Sequence, residues 1–146
     1  MIERISRDQM LMEMAIIASK RSTCTRKHVG AIIAIEGRPV SVGYAGAPSG
    51  LPHCLEHGCL TGPDGGCIRT QHAEANAIAF AARKGIATEK ATLYTTVSPC
   101  LACAKLIINA GIIEVWYLER YRKTEGLDLL SEKYIFHDQL KFQMVL

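Results

Sequence analysis

The stretch from His72 to Leu118, "HAEANAIAFAARKGIATEKATLYTTVSPCLACAKLIINAGIIEVWYL", changes its hydrophobic period three times. "HAEANAIAFAARKG" is rich in alanine and stops at Gly85, a residue suited to a C-cap, which predicts a helix. "ATLYTTV" is short and β-branched and predicts a strand. Ser98-Pro99 supplies an N-cap and a proline at the first helical position, and the helix runs through "CLACAKLIINAG" to Gly111. "IIEVWYL" is apolar nearly throughout, which predicts a central strand. Helices and strands in alternation predict an α/β fold.

Working outward, apolar residues recur at helical spacing from Arg7 to Arg21, and the methionines there are read as core. "VGAIIAIE" and "RPVSVGYA", joined by the turn Glu36-Gly37, predict a hairpin. Residues 46–71 hold six of the twelve glycines and three of the five prolines, which predicts a long loop that is functional or pinned down. A short helix near "LDLLSEKY" and a last strand in "LKFQMVL" complete the chain. The expected architecture is a three-layer α/β/α sandwich around one mixed five-stranded sheet, in a single domain over residues 1–146. There is no internal repeat, low-complexity segment or linker.

A net charge of +3 without a run of like charge is too low for a nucleic-acid-binding composition. No apolar stretch approaches a signal sequence or a membrane span, so a cytoplasmic protein is expected. In that setting six cysteines read as thiols or metal ligands rather than disulfides.

Cys100 and Cys103 are three apart at a helix start, where both side chains reach one ion and the helix end favours thiolates. A lone CxxC also suits a redox pair or a structural zinc. The discriminating feature is His72-Ala73-Glu74 at another helix start. In a regular helix these two side chains point about 200° apart, so they converge only if the open helix end faces the metal. Three ligands, His72, Cys100 and Cys103, would leave a fourth position for water, the mark of a catalytic zinc. Zinc brings the pKa of such a water to about 7. Glu74, unligated and beside it, could then move protons.

"HAE" followed by "PCLAC" is the H-x-E…P-C-x-x-C signature of the zinc-dependent nucleobase deaminases. The chain resembles the deoxycytidylate (dCMP) deaminase type of the cytidine deaminase superfamily from about Cys24 to Trp116. The residues that carry the likeness are "CTRKHVGAII", "GYAGAPSGLPHC", "CIRTQHAEANAI" and "LYTTVSPCLACAKLIINAGI". The resemblance implies a cytidine deaminase-like fold, hydrolysis of dCMP to dUMP and ammonia, and a homo-oligomer, a hexamer in relatives. It also implies substrate contacts at Arg26, Tyr44, Ala45, Ala73, Ser98 and Tyr121, although Ser98 also suits a plain N-cap. Lys27 and Arg69 join Arg26 as candidates for the 5′-phosphate, whereas His28 and His137 read as surface or packing residues.

Where the family reads Gly-Tyr-Asn-Gly, this chain reads Gly43-Tyr44-Ala45-Gly46. Alanine cannot supply the side-chain contact to the sugar hydroxyl that the asparagine resembles. That leaves open a modified cytosine nucleotide as substrate, and leaves open dCTP and dTTP as effectors. A tRNA or free-base deaminase is a rival within the fold, and a non-enzymatic structural zinc module a rival outside it. The latter does not explain Glu74 beside His72.

"HCLEHGC", from His53 to Cys59, is not needed for that chemistry. Relatives with an extended loop here hold a second, structural zinc, and Cys24 and Cys54 match the cysteines they use. Cys59 and Cys67 are the expected completing ligands, with His53 or His57 as substitutes.

Overall fold

The computed structural model describes residues 2–143. Helix α1 (Arg7–Ser19) starts where the Ser6 hydroxyl accepts from the Gln9 N–H at 3.0 Å, and it buries Leu11, Met12 and Ala15. Strands β1 (Gly30–Ile35) and β2 (Arg38–Tyr44) form the predicted hairpin. After the 46–71 segment come α3 (Ala73–Arg83), β3 (Thr92–Val97), α4 (Leu101–Asn109), β4 (Glu114–Glu119), α5 (Glu125–Glu132) and β5 (Phe136–Gln139). A short α2 (Cys54–His57) lies within that segment.

The sheet order is β2-β1-β3-β4-β5. β1 is antiparallel to both its neighbours, β2 and β3, whereas β3, β4 and β5 run parallel to one another and are joined by α4 and α5. Alternation along the strands builds the three layers. Ile32, Ala34 and Tyr94 face α1, while Ala31, Ile33, Leu93 and Val115 face Ala77 of α3, Ile107 of α4 and Leu130 of α5.

Two glycines bring the functional helix ends close to their supports. A Cβ on Gly43 of β2 would lie 2.1 Å from the Ala73 carbonyl oxygen, so only glycine lets α3 start against this strand. A Cβ on Gly126 of α5 would lie 2.1 Å from the Pro99 carbonyl oxygen, immediately before α4.

Three expectations need correction. The last strand is Phe136–Gln139, so residues 140–143 lie beyond it and residues 144–146 fall outside the described residues. Leu140 and Phe142 pack toward the α1 face instead, which explains their apolar character. Ser98 is not an N-cap, because α4 begins at Leu101 with Cys100 as the cap residue. The 46–71 segment is not wholly irregular, since it carries α2 and the antiparallel bridges Gly46–Gln71 and Thr61–Cys67. Among the described residues no helix is long and apolar enough to cross a membrane.

Candidate active site

His72 and Cys100 are the extended N-cap residues of α3 and α4, not members of the helices. That resolves the angular problem of His72 and Glu74: the histidine leaves the chain before helical geometry begins, whereas Glu74 sits in the first turn. Both open helix ends point at one place. The His72 Nδ1 stands 3.4 Å from the Cys100 Sγ and 3.5 Å from the Cys103 Sγ, and the three ligand atoms lie within 4.8 Å of one another. Tetrahedral zinc with ordinary Zn–S and Zn–N bonds places such atoms about 3.6 Å apart. The donor set therefore fits zinc.

Glu74 is only 4% exposed, and burial drives its carboxyl above the usual carboxylate range against the pull of its own N–H, His72 and Thr95. Thr95 Oγ1 of β3 lies 3.4 Å from Glu74 Oε1. The hydrogen bond from Cys103 and the bond to His72 bring Cys100 down to about 4. Cys103 moves up, first through that same bond and then through burial. Metal binding needs both sulfurs as thiolates, so an ion at this site would displace any proton they hold. His72 is raised, chiefly by its bond to Cys100.

These groups open into a cleft of about 570 Å³. Its wall includes Arg26, Ala45, Ala73, Ser98 and Tyr121, all named from the sequence. Ser98 holds Tyr121 in place: its hydroxyl accepts from the Tyr121 N–H at 2.7 Å, and its N–H donates to the Glu119 carbonyl at 2.8 Å. Ala45 is 5% exposed, and both its backbone groups bond within the protein, to Val29 and to Thr23 and Ser22, so only its methyl group is left for a ligand.

Tyr44 does not line the cleft; its ring lies under the Arg21 guanidinium. Arg69 is also outside, donating to the Gly58 carbonyl. Lys27 lines the cleft but pairs with Glu119 at 3.3 Å, and Arg26 donates to the Gly65 carbonyl. Arg120 and Arg122 also line the cleft and escaped the sequence reading. The signal was available, because a basic pair around Tyr121 directly follows a parallel strand, and ligands gather outside the carboxyl ends of such strands. His28 is exposed, and His137 bonds Ser131, in keeping with surface and packing roles.

A second group unites Cys54, Cys59 and Cys67, with ligand atoms within 4.8 Å of one another. The Cys54 and Cys67 sulfurs are 3.5 Å apart, close to the roughly 3.8 Å edge of a tetrahedral zinc–thiolate site and far from a disulfide bond. Burial opposes ionisation of Cys67, yet bonds from Cys59 and Thr70 bring it down to about 6. Cys59, the donor in that pair, rises to about 11. Cys24 is buried and lines the catalytic cleft with Cys67, but it lies outside this three-cysteine group. His53 and His57 also lie outside it, and the Nδ1 of His53 bonds the Thr23 hydroxyl.

The sequence model of the cytidine and deoxycytidylate deaminase zinc-binding region matches residues 5–119. This chain belongs to that family. It is 44% identical over 121 residues to ComE operon protein 2 of Bacillus subtilis, covering 83% of this chain and 64% of that protein. It is 38% identical over 127 residues to the deoxycytidylate deaminase of Saccharomyces cerevisiae, covering 84% and 40%. The chain thus spans less than two thirds of the length of either relative. Among solved structures, the dCMP deaminase of cyanophage S-TIM5 in complex with dCMP and dUMP matches with a TM-score of 0.83 and 30% identity, covering 95% of this chain and 100% of that one. The His72, Cys100 and Cys103 group that the two helix ends bring together lies within the residues that this zinc-binding model matches.

Proposed function

We propose that this chain is a zinc-dependent aminohydrolase that converts dCMP to dUMP and ammonia. The observation that carries the reading is the buried Glu74 carboxyl beside a three-ligand metal group, in a cleft whose lining includes Arg26, Lys27, Arg120 and Arg122. The cyanophage relative, matched over its whole length, holds dCMP and dUMP. His72, Cys100 and Cys103 would hold the zinc, which would supply an activated water for attack on C4 of the base. Glu74 receives the proton of that water and delivers it to N3, which makes C4 electrophilic. It then carries the remaining proton of the water, from the oxygen now bonded to C4, to the 4-amino nitrogen; the C4–N bond breaks, ammonia leaves and C4 keeps a carbonyl oxygen. Burial suits Glu74 to this, because its raised affinity for protons moves it toward working pH.

Arg26, Arg120 and Arg122 form the seat for the 5′-phosphate, supported by their place on the cleft wall and by guanidinium geometry suited to phosphate. Cys54, Cys59 and Cys67 hold a second, structural zinc, with Cys24 the nearby candidate for the fourth position. The protein assembles as a homo-oligomer, using exposed apolar residues such as Phe80 of α3 and Leu106 of α4.

The test is a deamination panel of dCMP, CMP, deoxycytidine and cytosine, run with wild type and Glu74→Gln, with and without dCTP and dTTP. Turnover of dCMP that falls by about 10²-fold or more in the variant while zinc is retained supports the assignment. Undiminished activity in Glu74→Gln refutes it. Ala45 favours a second reading, a modified cytosine nucleotide, because a methyl group stands at a cleft position where the family carries an amide. 5-Methyl-dCMP and 5-hydroxymethyl-dCMP belong in the panel for that reason.

A further inference from the structure

Glu74 must present its carboxyl to two different atoms of the base, so its orientation matters as much as its proton affinity. Thr95 lies behind it. This residue is fully buried on β3, paired in register with Ala31 and Tyr117, and flanked along its face by the apolar Leu93 and Val97. A hydroxyl in such a layer costs about 1–3 kcal/mol unless bonded, and a valine of the same shape would avoid that cost. Here the hydroxyl meets two acceptors. It donates to the Val97 carbonyl oxygen at 2.9 Å, and Glu74 Oε1 stands 3.4 Å from the Thr95 Oγ1.

The Val97 carbonyl lies at the end of β3, where the chain turns through Ser98 and Pro99 into Cys100. The Thr95 hydroxyl therefore touches both the acid carried by α3 and the arm that carries a metal ligand and the Ser98–Tyr121 wall. We propose that Thr95 is a positioning residue for the reaction: its hydroxyl fixes Glu74 relative to the Val97–Cys100 arm, so that the carboxyl meets a base seated against that arm. The proposal rests on the reading of Glu74 as the proton carrier.

The test compares Thr95→Val, which keeps shape and removes the hydroxyl, with Thr95→Ser, which keeps the hydroxyl. Each is purified with zinc and measured for zinc per chain, unfolding midpoint, KM and kcat on dCMP. Loss of orientation predicts a fall in kcat of about 10–100-fold in the valine variant, with KM within about twofold and zinc content unchanged. Serine should restore kcat to within about threefold of wild type. Should valine prevent folding, Thr95→Ala gives the same comparison. Wild-type kcat in the variant lacking the hydroxyl overturns the proposal. So does a loss carried by KM, or a loss of zinc and stability that serine does not rescue. Glu74→Gln run alongside separates the two readings, because full activity there removes the proton carrier itself, whatever Thr95 does.

Discussion

Substituting Gly43 by alanine tests whether the catalytic arrangement depends on how closely α3 approaches the sheet. The added Cβ would lie 2.1 Å from the Ala73 carbonyl oxygen, 2.6 Å from the Ala77 nitrogen and 3.0 Å from the Ala77 Cβ. The first of these is about 1.3 Å short of the 3.4 Å at which ordinary contact begins, and two of the three obstacles are backbone. The start of α3 must therefore retreat by about 1 Å, taking His72 and Glu74 with it. Overpacking of this kind costs about 1–3 kcal/mol. For a chain of this length that lowers Tm by roughly 3–10 °C. A displacement of about 1 Å in reacting groups costs about 100-fold in turnover. Thermal unfolding and dCMP turnover on one preparation read both effects. Ser41→Ala is the comparator: it removes the 2.7 Å bond from the Ser41 hydroxyl to the Ala77 carbonyl without adding an atom. It should cost about 1 kcal/mol while turnover stays within about twofold. An alanine at position 43 that leaves kcat at the wild-type level would refute the dependence.

Other outcomes follow from the same geometry. Arg120→Gln with Arg122→Gln should raise KM for dCMP by about tenfold or more, while deoxycytidine turnover stays unchanged, because charge-assisted contacts of about 1.5–3 kcal/mol to the phosphate are lost; steady-state kinetics on the two substrates decide it. Zinc at the cysteine group should be released on acidification, because protons compete with the ion for the Cys54, Cys59 and Cys67 sulfurs. A chromogenic chelator follows that release, and a Cys67→Ser protein should carry one zinc fewer per chain. Tyr94→Phe removes the 2.5 Å bond from the Tyr94 hydroxyl to Asp8 Oδ1, which ties β3 to α1, and should cost about 1–3 kcal/mol in denaturant unfolding without changing KM.

The sheet and the convergence of His72, Cys100 and Cys103 were legible because their signals are local. Ala31, Ile33, Leu93 and Val115 carry periodic patterns that reflect one layer each. The His72 and Cys100 positions each announce a helix start within a few residues. The last strand was misplaced because β5, "FHDQ", is polar and half-exposed, whereas the more apolar Leu140 and Phe142 lie beyond its end and pack toward the α1 face, with Leu140 keeping one bond to the Tyr117 carbonyl. Ser98-Pro99 imitates a helix start, but the helix is delayed until Leu101 and the serine holds Tyr121 across the cleft. Arg69 and Tyr44 stand beside motif residues in sequence yet turn away from the cleft, while Arg120 and Arg122 enter it from a different strand end. Such placement depends on tertiary packing, which no local pattern contains.

Cys67 belongs to the outer cysteine group and also lines the cleft that holds Glu74. A clasp placed there has consequences in time as well as in space. Under the proposal that these cysteines hold a second zinc, an enzyme that loses it would not slow gradually; each molecule would work at full rate until its wall came loose. The durability of a preparation during storage or dialysis would then be set by the exchange rate of an ion that takes no part in the chemistry.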